Sequence, residues 1–122
     1  MAKRRMFSLD IVDTDKFLDL PASTQALYFH LGMRADDDGF VGNPKKIAKS
    51  IGATDVDLNL LCAKKFIIPF ESGVVVITCW KLNNSIRKDR YTPTIYAKEK
   101  ALLNEKGNEY IIEPNNQQFF QQ

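Results

Sequence analysis

The densest grouping of residues that could do chemistry lies between Arg87 and Tyr96, where cations alternate with aromatic rings. Arg87, Lys88 and Arg90 precede Tyr91, and Tyr96 follows soon after. Guanidinium and ammonium groups bind phosphates, and tyrosine rings stack on nucleobases. This composition is typical of a surface that holds a nucleic-acid strand. It also suits a segment in which the tyrosines pack on the core while the charges face water.

Positive charge is concentrated in further short segments, although the net charge of the chain is only +2. If the fold brings these segments to one surface, that surface suits a polyanion such as DNA. Lysines on a solvated helix face are the simpler interpretation of any single segment. The residues that we predict to contact DNA are Lys3, Arg4, Arg5, Lys45, Lys46, Lys49, Asn59, Lys64, Lys65, Arg87, Lys88, Arg90 and Tyr91.

Residue combinations that support catalysis or metal binding are lacking in the sequence. It has no glycine-rich phosphate loop, and its one histidine, His30, has no nucleophile paired with it by spacing. Cys62 and Cys79 lack the spacing of zinc or redox sites. The acidic run Asp36–Asp38 does not alternate as an EF-hand loop requires, so we predict a solvated turn there. We therefore expect a non-enzymatic protein without a metal or cofactor.

The element that must position the basic residues is the stretch from Asn43 to Phe66, which predicts two helices joined by a tight turn. Asn43 can cap a first helix that begins at Pro44, and Gly52 can end it in a left-handed conformation. Thr54 and Asp57 have the spacing of a capping box for the second helix. Two helices joined in this way are a candidate helix-turn-helix.

The residues after Phe66 predict a β-hairpin. Two runs rich in branched and aromatic side chains are interrupted at Ser72-Gly73. A hairpin directly after the second helix is the wing of a winged helix-turn-helix. The stretch Gly39–Val41 can add a third strand to its edge, and residues 22–35 predict a central core helix.

The second helix of the pair has few side chains that could hydrogen-bond to base edges. At 100° per residue, apolar side chains fill most of its circumference and leave a narrow polar stripe, chiefly Asp57 and Lys64, with Asn59 at its margin. Asp55 and Asp57 near its beginning repel phosphate. We therefore predict contacts with the DNA backbone rather than sequence-specific reading of the major groove. The alternative is that this helix buries an apolar face against a second copy of the protein.

The order of these elements resembles the N-terminal domain of phage replisome organiser proteins, which are related to the DnaD-like replication initiators of low-GC Gram-positive bacteria. The resemblance covers about Phe7 to Leu103. It rests on L-P-A-S-T-Q-A-L-Y-F-H-L, D-D-D-G-F-V and, most specifically, W-K-L-N-N-S-I-R-K-D-R-Y-T-P-T-I-Y. The resemblance implies a winged-helix domain that binds DNA, self-associates during initiation of phage replication and helps to bring in the helicase-loading machinery.

We predict a mainly α fold with a small β-hairpin or three-stranded sheet, namely a winged helix-turn-helix with an added C-terminal helix. The domain is expected to span residues 7–106, with the last helix running from Thr94 to about Glu105. Residues 1–6 are expected to form a basic arm. Residues 107–122 have the composition of a disordered polar tail.

The expected partners are DNA, further copies of the chain, and helicase-loading or other replication proteins. No apolar run approaches the ~20 residues that span a bilayer, so we expect no membrane partner and a cytoplasmic location in a bacterial host. Two alternatives stay open at this point. One is a winged-helix module for protein–protein interaction or oligomerisation in the replication machinery, and the other is a transcriptional regulator.

Overall fold

A computed structural model describes residues 4–112 of the 122-residue chain as seven α-helices and five β-strands. The helices are α1 (Leu9–Val12), α2 (Asp15–Leu18), α3 (Ala22–Arg34), α4 (Pro44–Ser50), α5 (Asp55–Ala63), α6 (Trp80–Asn83) and α7 (Ala97–Ala101). The strands are β1 (Phe40–Val41), β2 (Ile67–Pro69), β3 (Val75–Ile77), β4 (Leu103–Lys106) and β5 (Glu109–Ile112). The expectation of a mainly helical chain with a small antiparallel sheet is confirmed. Within this range, no helix has the length and apolar character needed to cross a membrane.

Helices α3, α4 and α5 pack against one another around the apolar core. The core face of α3 carries Leu27, Tyr28 and Leu31, and the helix spans nearly the predicted residues. The predicted ends of α4 are also confirmed. It begins at Pro44, and Gly52 follows it with a φ of +80°, a conformation that glycine adopts without steric penalty.

The first three strands form one antiparallel sheet in the order β1-β3-β2. Strands β2 and β3 are the predicted hairpin, with Ser72 and Gly73 in the connection between them. Strand β1 pairs with the other edge of β3, and Phe40 lies opposite Val76. The predicted third strand is therefore confirmed, and all three residues of β3 are buried between its two partners.

Residues 4–6, the described part of the predicted basic arm, are not free. Residues 9–12 form α1, and Ser8 caps this helix by accepting a hydrogen bond from its backbone. Thr14 caps α2 by accepting from the N–H of Phe17. The backbone N–H and C=O of Met6 are both bonded to the side chain of Asn84, at 2.8 and 3.2 Å. The prediction of an arm over residues 1–6 is therefore wrong where the structure describes it.

The C-terminal helix predicted from Thr94 to about Glu105 is wrong in its extent. Helix α7 has only five residues, and the chain continues into the antiparallel hairpin of β4 and β5. Gly107 takes the turn of this hairpin with a φ of +65°. The pairing carries Tyr110 into the core, where it is 3% exposed. Burial of this large ring outweighs the helix preference of the lysine- and glutamate-rich sequence around it.

The same hairpin corrects the prediction of a polar tail from residue 107. Residues 107–112 complete its turn and β5. The N–H of Tyr110 donates to the carbonyl of Thr78 at 2.8 Å, and its hydroxyl donates to the carbonyl of Asp38 at 2.9 Å. These residues therefore belong to the folded unit, and residues 113–122 lie outside the part that the structure describes.

Asp57 joins the beginnings of α3 and α5. One oxygen of its carboxylate accepts hydrogen bonds from the hydroxyls of Ser23 and Thr24, at 2.8 and 2.6 Å. The other accepts from the N–H of Thr54 at 3.0 Å, which completes the predicted capping box. The hydrogen bond from Thr24, with smaller contributions from Thr54 and Ser23, lowers the pKa of Asp57 from its ordinary value although burial opposes the shift. The carboxylate therefore fixes the angle between the two helices.

We expect Asp57→Asn to lower the free energy of unfolding by about 1.5–3 kcal/mol near neutral pH, because an amide cannot accept all three hydrogen bonds. The pKa of Asp57 is lower in the folded protein than the ordinary 3.8. Its stabilisation is therefore complete above the unfolded pKa and is lost as the pH falls through the lower folded pKa.

Urea unfolding at about pH 7 and about pH 3 checks both parts of this prediction. The wild type should lose more stability on acidification than Asp57→Asn. Asp55→Asn is the matched control, because Asp55 lies in the same helical turn but is exposed. An equal acid-induced loss in the wild type and in Asp57→Asn would contradict the prediction.

Candidate nucleic-acid interface

Two buried asparagines fix the beginning of the cation-rich segment at residues 85–96, which we call the basic segment. Asn83 donates to the hydroxyl of Tyr28 at 3.0 Å and accepts from the N–H of Ser8 at 2.8 Å. Asn84 makes the two bonds to Met6 described above. Both asparagines are less than a tenth exposed. Their side chains therefore hold the chain in place just before the basic residues begin.

Three consecutive carboxylates, Asp36–Asp38, hold the other end of the basic segment, and we call them the acidic turn. Asp37 accepts a hydrogen bond from the N–H of Thr92 at 2.9 Å. Asp38 accepts from the N–H of Thr94 at 2.9 Å, and Asp36 accepts from the hydroxyl of Thr94 at 2.5 Å. The hydroxyl of Tyr91 donates to Asp38 at 2.7 Å. Backbone and side-chain donors of one segment thus converge on one turn.

The prediction of a solvated turn at the acidic turn is wrong, because Asp37 and Asp38 are each only 4% exposed. Buried carboxylates need donors, and the basic segment supplies most of them. Lys100 adds an ion pair with Asp38 at 3.3 Å. Within residues 4–112, no three acidic, histidine or cysteine side chains are grouped so that they could hold a metal ion. The acidic turn is therefore an internal anchor.

Arg5 lies inside this anchor and is not the DNA contact that the sequence predicted. Its Nη2 lies 3.0 Å from Asp37 Oδ1, and the two side chains are 2% and 0% exposed. The same nitrogen donates to the carbonyl of Ala35 at 2.8 Å, and the guanidinium lies 5.2 Å from the ring centre of Trp80. A group so enclosed cannot reach a phosphate. Arg4 beside it is exposed, whereas Lys3 lies outside the described residues.

The proton positions in the anchor follow from its charges. Burial, followed by the hydrogen bond with Asp38 and its charge, raises the pKa of Tyr91, so the phenol keeps its proton and donates. Burial opposes the charged form of Lys100, but the attraction of Asp38 prevails and raises the pKa of Lys100. The donors of the anchor therefore stay protonated at neutral pH.

The cations of the basic segment itself face water. Arg87, Lys88 and Arg90 are exposed, and the N–H of Arg90 donates to the carbonyl of Arg87 at 3.0 Å to close a turn. Arg87 also lies 3.2 Å from Asp89, with the two side chains 76% and 62% exposed. Such an exposed pair contributes at most about 1 kcal/mol. A phosphate can therefore replace Asp89 as the partner of Arg87.

The end of the basic segment contacts the chain just before α4. The hydroxyl of Tyr96 lies so near Gly42 that a Cβ at this position would collide with it. Asn43 then occupies the N-cap position of α4, although its side chain makes no capping hydrogen bond, and the core face of this helix includes Ile47 and Ala48. The opposite face of α4 carries the predicted contact residues Lys45, Lys46 and Lys49, all exposed. The end of the basic segment therefore lies beside the residues that lead into α4.

The outward face of α5 differs from the predicted stripe. Asp57 is buried, while Val56 is 72% exposed and Ala63 is exposed as well. The packing of α3 decides this orientation, because Asp57 bonds to the hydroxyls of that helix. Asn59 lies on the exposed face as expected, beside Asp55. The nine residues of α5 include no lysine or arginine, so this face has no cation for phosphate.

Lys64 and Lys65 directly follow α5 and are exposed. Lys65 has a φ of 65°. The next residue, Phe66, packs on Phe17, and the ammonium of Lys16 lies 4.8 Å from the centre of the Phe66 ring. Lys16 therefore lies beside Phe66, the residue that follows these two lysines.

The anchoring residues are the part of the site that the sequence interpretation missed. A signal for them is present, because the acidic turn is separated from the apolar pair Phe40–Val41 by a single glycine. Carboxylates placed next to a buried strand need donors from elsewhere in the chain, and the threonines near Pro93 are such donors.

The assembled site presents exposed cations on a backbone that is held at both ends. This geometry favours contact with a polyanion, because phosphate contacts come from arginine and lysine side chains and position a nucleic acid without reading its sequence. Comparison of the chain with protein-family models, with curated proteins and with solved structures found no match in any of the three.

Proposed function

We propose that this chain is a non-enzymatic DNA-binding module of replication initiation that acts in the cytoplasm of a bacterial host. It holds DNA mainly through phosphates and self-associates. The observation that carries the proposal is the basic segment, whose exposed Arg87, Lys88 and Arg90 lie between two buried anchors. Cations on a fixed backbone lose less conformational entropy on binding than cations on a free arm.

The arrangement of elements supports a winged helix-turn-helix assignment. Helices α4 and α5 are joined by a glycine turn, and the β2–β3 hairpin follows them directly as a wing would. The resemblance to phage replisome organisers covers the same elements. The lack of cations on α5 favours phosphate contacts from neighbouring segments over base reading by this helix.

Self-association is supported by the exposed apolar residue on α5. Val56 is 72% exposed, and Leu60, one turn later on the same face, is half-buried. A second copy that covers this face would remove apolar surface from water. Sedimentation over a wide concentration range tests this part of the proposal, and a strict monomer at high concentration would contradict it.

Replacement of Arg87, Lys88 and Arg90 by alanine is expected to weaken DNA binding about equally for all sequences. The slope of log K against log salt concentration should fall by up to about three units, because each lost phosphate contact removes about one. Titration of labelled oligonucleotides at two salt concentrations measures both effects. Exposed positions of this kind change stability by less than about 0.5 kcal/mol, and urea unfolding verifies this.

Asp89→Asn is the matched charge change of opposite sign. It removes a negative charge from the same turn and releases Arg87, so it should strengthen binding. If the wild-type protein binds no oligonucleotide even at low salt, the proposed function is refuted. Unchanged affinity in both variants would show that DNA contacts another surface.

A further inference from the structure

The basic segment carries apolar groups in contact with water beside its cations. Ile95 is 85% exposed and Tyr91 is 37% exposed. The hydroxyl of Tyr91 points inward to Asp38, so the exposed part of this residue includes its ring. A segment that served only to attract phosphates would have no need of these groups.

A cavity lies between the basic segment and α7. It has a volume of about 310 Å³ and is lined by Asp38, Pro93, Thr94, Ala97, Lys100 and Ala101. This volume is at the lower end of the range for small-molecule sites. The carboxylate of Asp38 is already bonded to Tyr91, Thr94 and Lys100. The wall therefore offers a ligand apolar surface and the partly exposed ammonium group of Lys100, which suits a flat heterocycle that carries acceptors.

We propose that the basic segment binds unpaired DNA. Arg87, Lys88 and Arg90 contact successive phosphates, while bases lie on Tyr91 and Ile95 and one base enters the cavity. This inference rests on the proposed function and narrows its substrate to the single strand.

The geometry favours a single strand over a duplex for two reasons. Reading a groove takes a helix or a β-ribbon, whereas residues 84–96 form neither. The bases of a duplex are stacked on each other, but every base of a single strand has a face free for an aromatic or aliphatic side chain. A base can also enter the cavity only when it is not paired.

The test compares one labelled strand of about 20 nucleotides with the same strand annealed to its complement, at equal salt. The single strand should bind at least about fivefold tighter, which corresponds to one stacked base. Ile95→Ala removes the exposed side chain, and Ala97→Met fills the cavity from an exposed helical position. Each should lower the affinity for the single strand several-fold and leave the affinity for the duplex unchanged.

Leu9→Ala is the matched control, because Leu9 is also highly exposed but lies on α1 and has no part in the proposed contacts. It should leave the preference for the single strand intact. A duplex bound as tightly as its single strand would overturn this inference while the proposed function stands. Absence of binding to either DNA at low salt would remove both. If Ile95→Ala and Ala97→Met behave like Leu9→Ala, the apolar contacts are refuted.

Discussion

Asp37→Ala is expected to lower the free energy of unfolding by about 3–5 kcal/mol, because it leaves a buried guanidinium without its counter-ion. Arg5 and Asp37 are 2% and 0% exposed at their side chains. The second nitrogen of the guanidinium, Nη1, is already buried without a hydrogen-bond partner among the described residues. Among residues 4–112, only the carbonyl of Ala35 would remain to accept from Arg5.

Urea unfolding measures this loss, and Asp89→Ala is the control. Asp89 forms an ion pair at a similar distance, 3.2 Å, but in water, so its removal should change stability by less than about 1 kcal/mol. In the double variant Arg5→Met with Asp37→Ala, no buried charge is left unpaired. It should be more stable than Asp37→Ala alone. If Asp37→Ala and Asp89→Ala lower the free energy of unfolding equally, the buried ion pair of Arg5 and Asp37 does not anchor the acidic turn.

Asp37→Ala should also loosen the candidate interface. The N–H of Thr92 has the carboxylate of Asp37 as its acceptor, so its hydrogen exchange should become faster in Asp37→Ala. Arg87, Lys88 and Arg90 would stay exposed, but the basic segment that carries them would be held firmly at one end instead of two. DNA affinity should therefore decrease even though none of the three cations of the basic segment is altered.

Elements with local signals could be predicted from the sequence. Pro44, Gly52 and the Thr54–Asp57 pair are sufficient to fix the borders of α4 and α5, because caps and turns depend on a few neighbouring residues. The strand pattern around Ser72 and Gly73 is sufficient for the β2–β3 hairpin. Arg87, Lys88 and Arg90 are exposed, as is usual for charged side chains without a buried partner, and their contact with DNA stays a prediction.

The anchor could not be predicted, because its partners lie far apart in the chain. Arg5 and Asp37 are separated by 32 residues, and Tyr110 and Asp38 by 72. A basic residue near a terminus and three aspartates before a glycine each have the composition of solvated surface. Only the packed structure shows that the donors and acceptors satisfy one another.

The sequence prediction differs from the structure at two further elements, the β4–β5 hairpin and α5, for separate reasons. The β4–β5 hairpin has a local signal in Gly107-Asn108, a dipeptide that suits a two-residue turn, but the helix-forming residues before it outweigh this signal in a local interpretation. The orientation of α5 has no local signal of this kind. A helical projection gives the spacing of its apolar residues, whereas the hydroxyls of α3 decide that Asp57 faces inward.

Gly39 is the position where a single methyl group should be most damaging. Its φ is +90°, and a Cβ would lie 2.6 Å from Cγ and 2.8 Å from Cβ of Trp80. Trp80 is 2% exposed, and its indole Nε1 donates to the carbonyl of Asp37 at 2.9 Å, so the ring cannot move aside without breaking the acidic turn. The close approach of backbone and indole thus requires glycine.

We expect Gly39→Ala to lower the free energy of unfolding by about 2–5 kcal/mol, the sum of about 1–2 for left-handed strain and about 1–3 for overpacking. Gly73→Ala separates the two parts. Gly73 has a φ of +93° but nothing within 4 Å of an added Cβ, so only the strain of about 1–2 kcal/mol should appear. Urea unfolding of both variants gives the difference, which measures how tightly Trp80 closes over the acidic turn. If the two variants lose the same stability, the indole has room to yield, and the acidic turn is less rigid than its hydrogen bonds indicate.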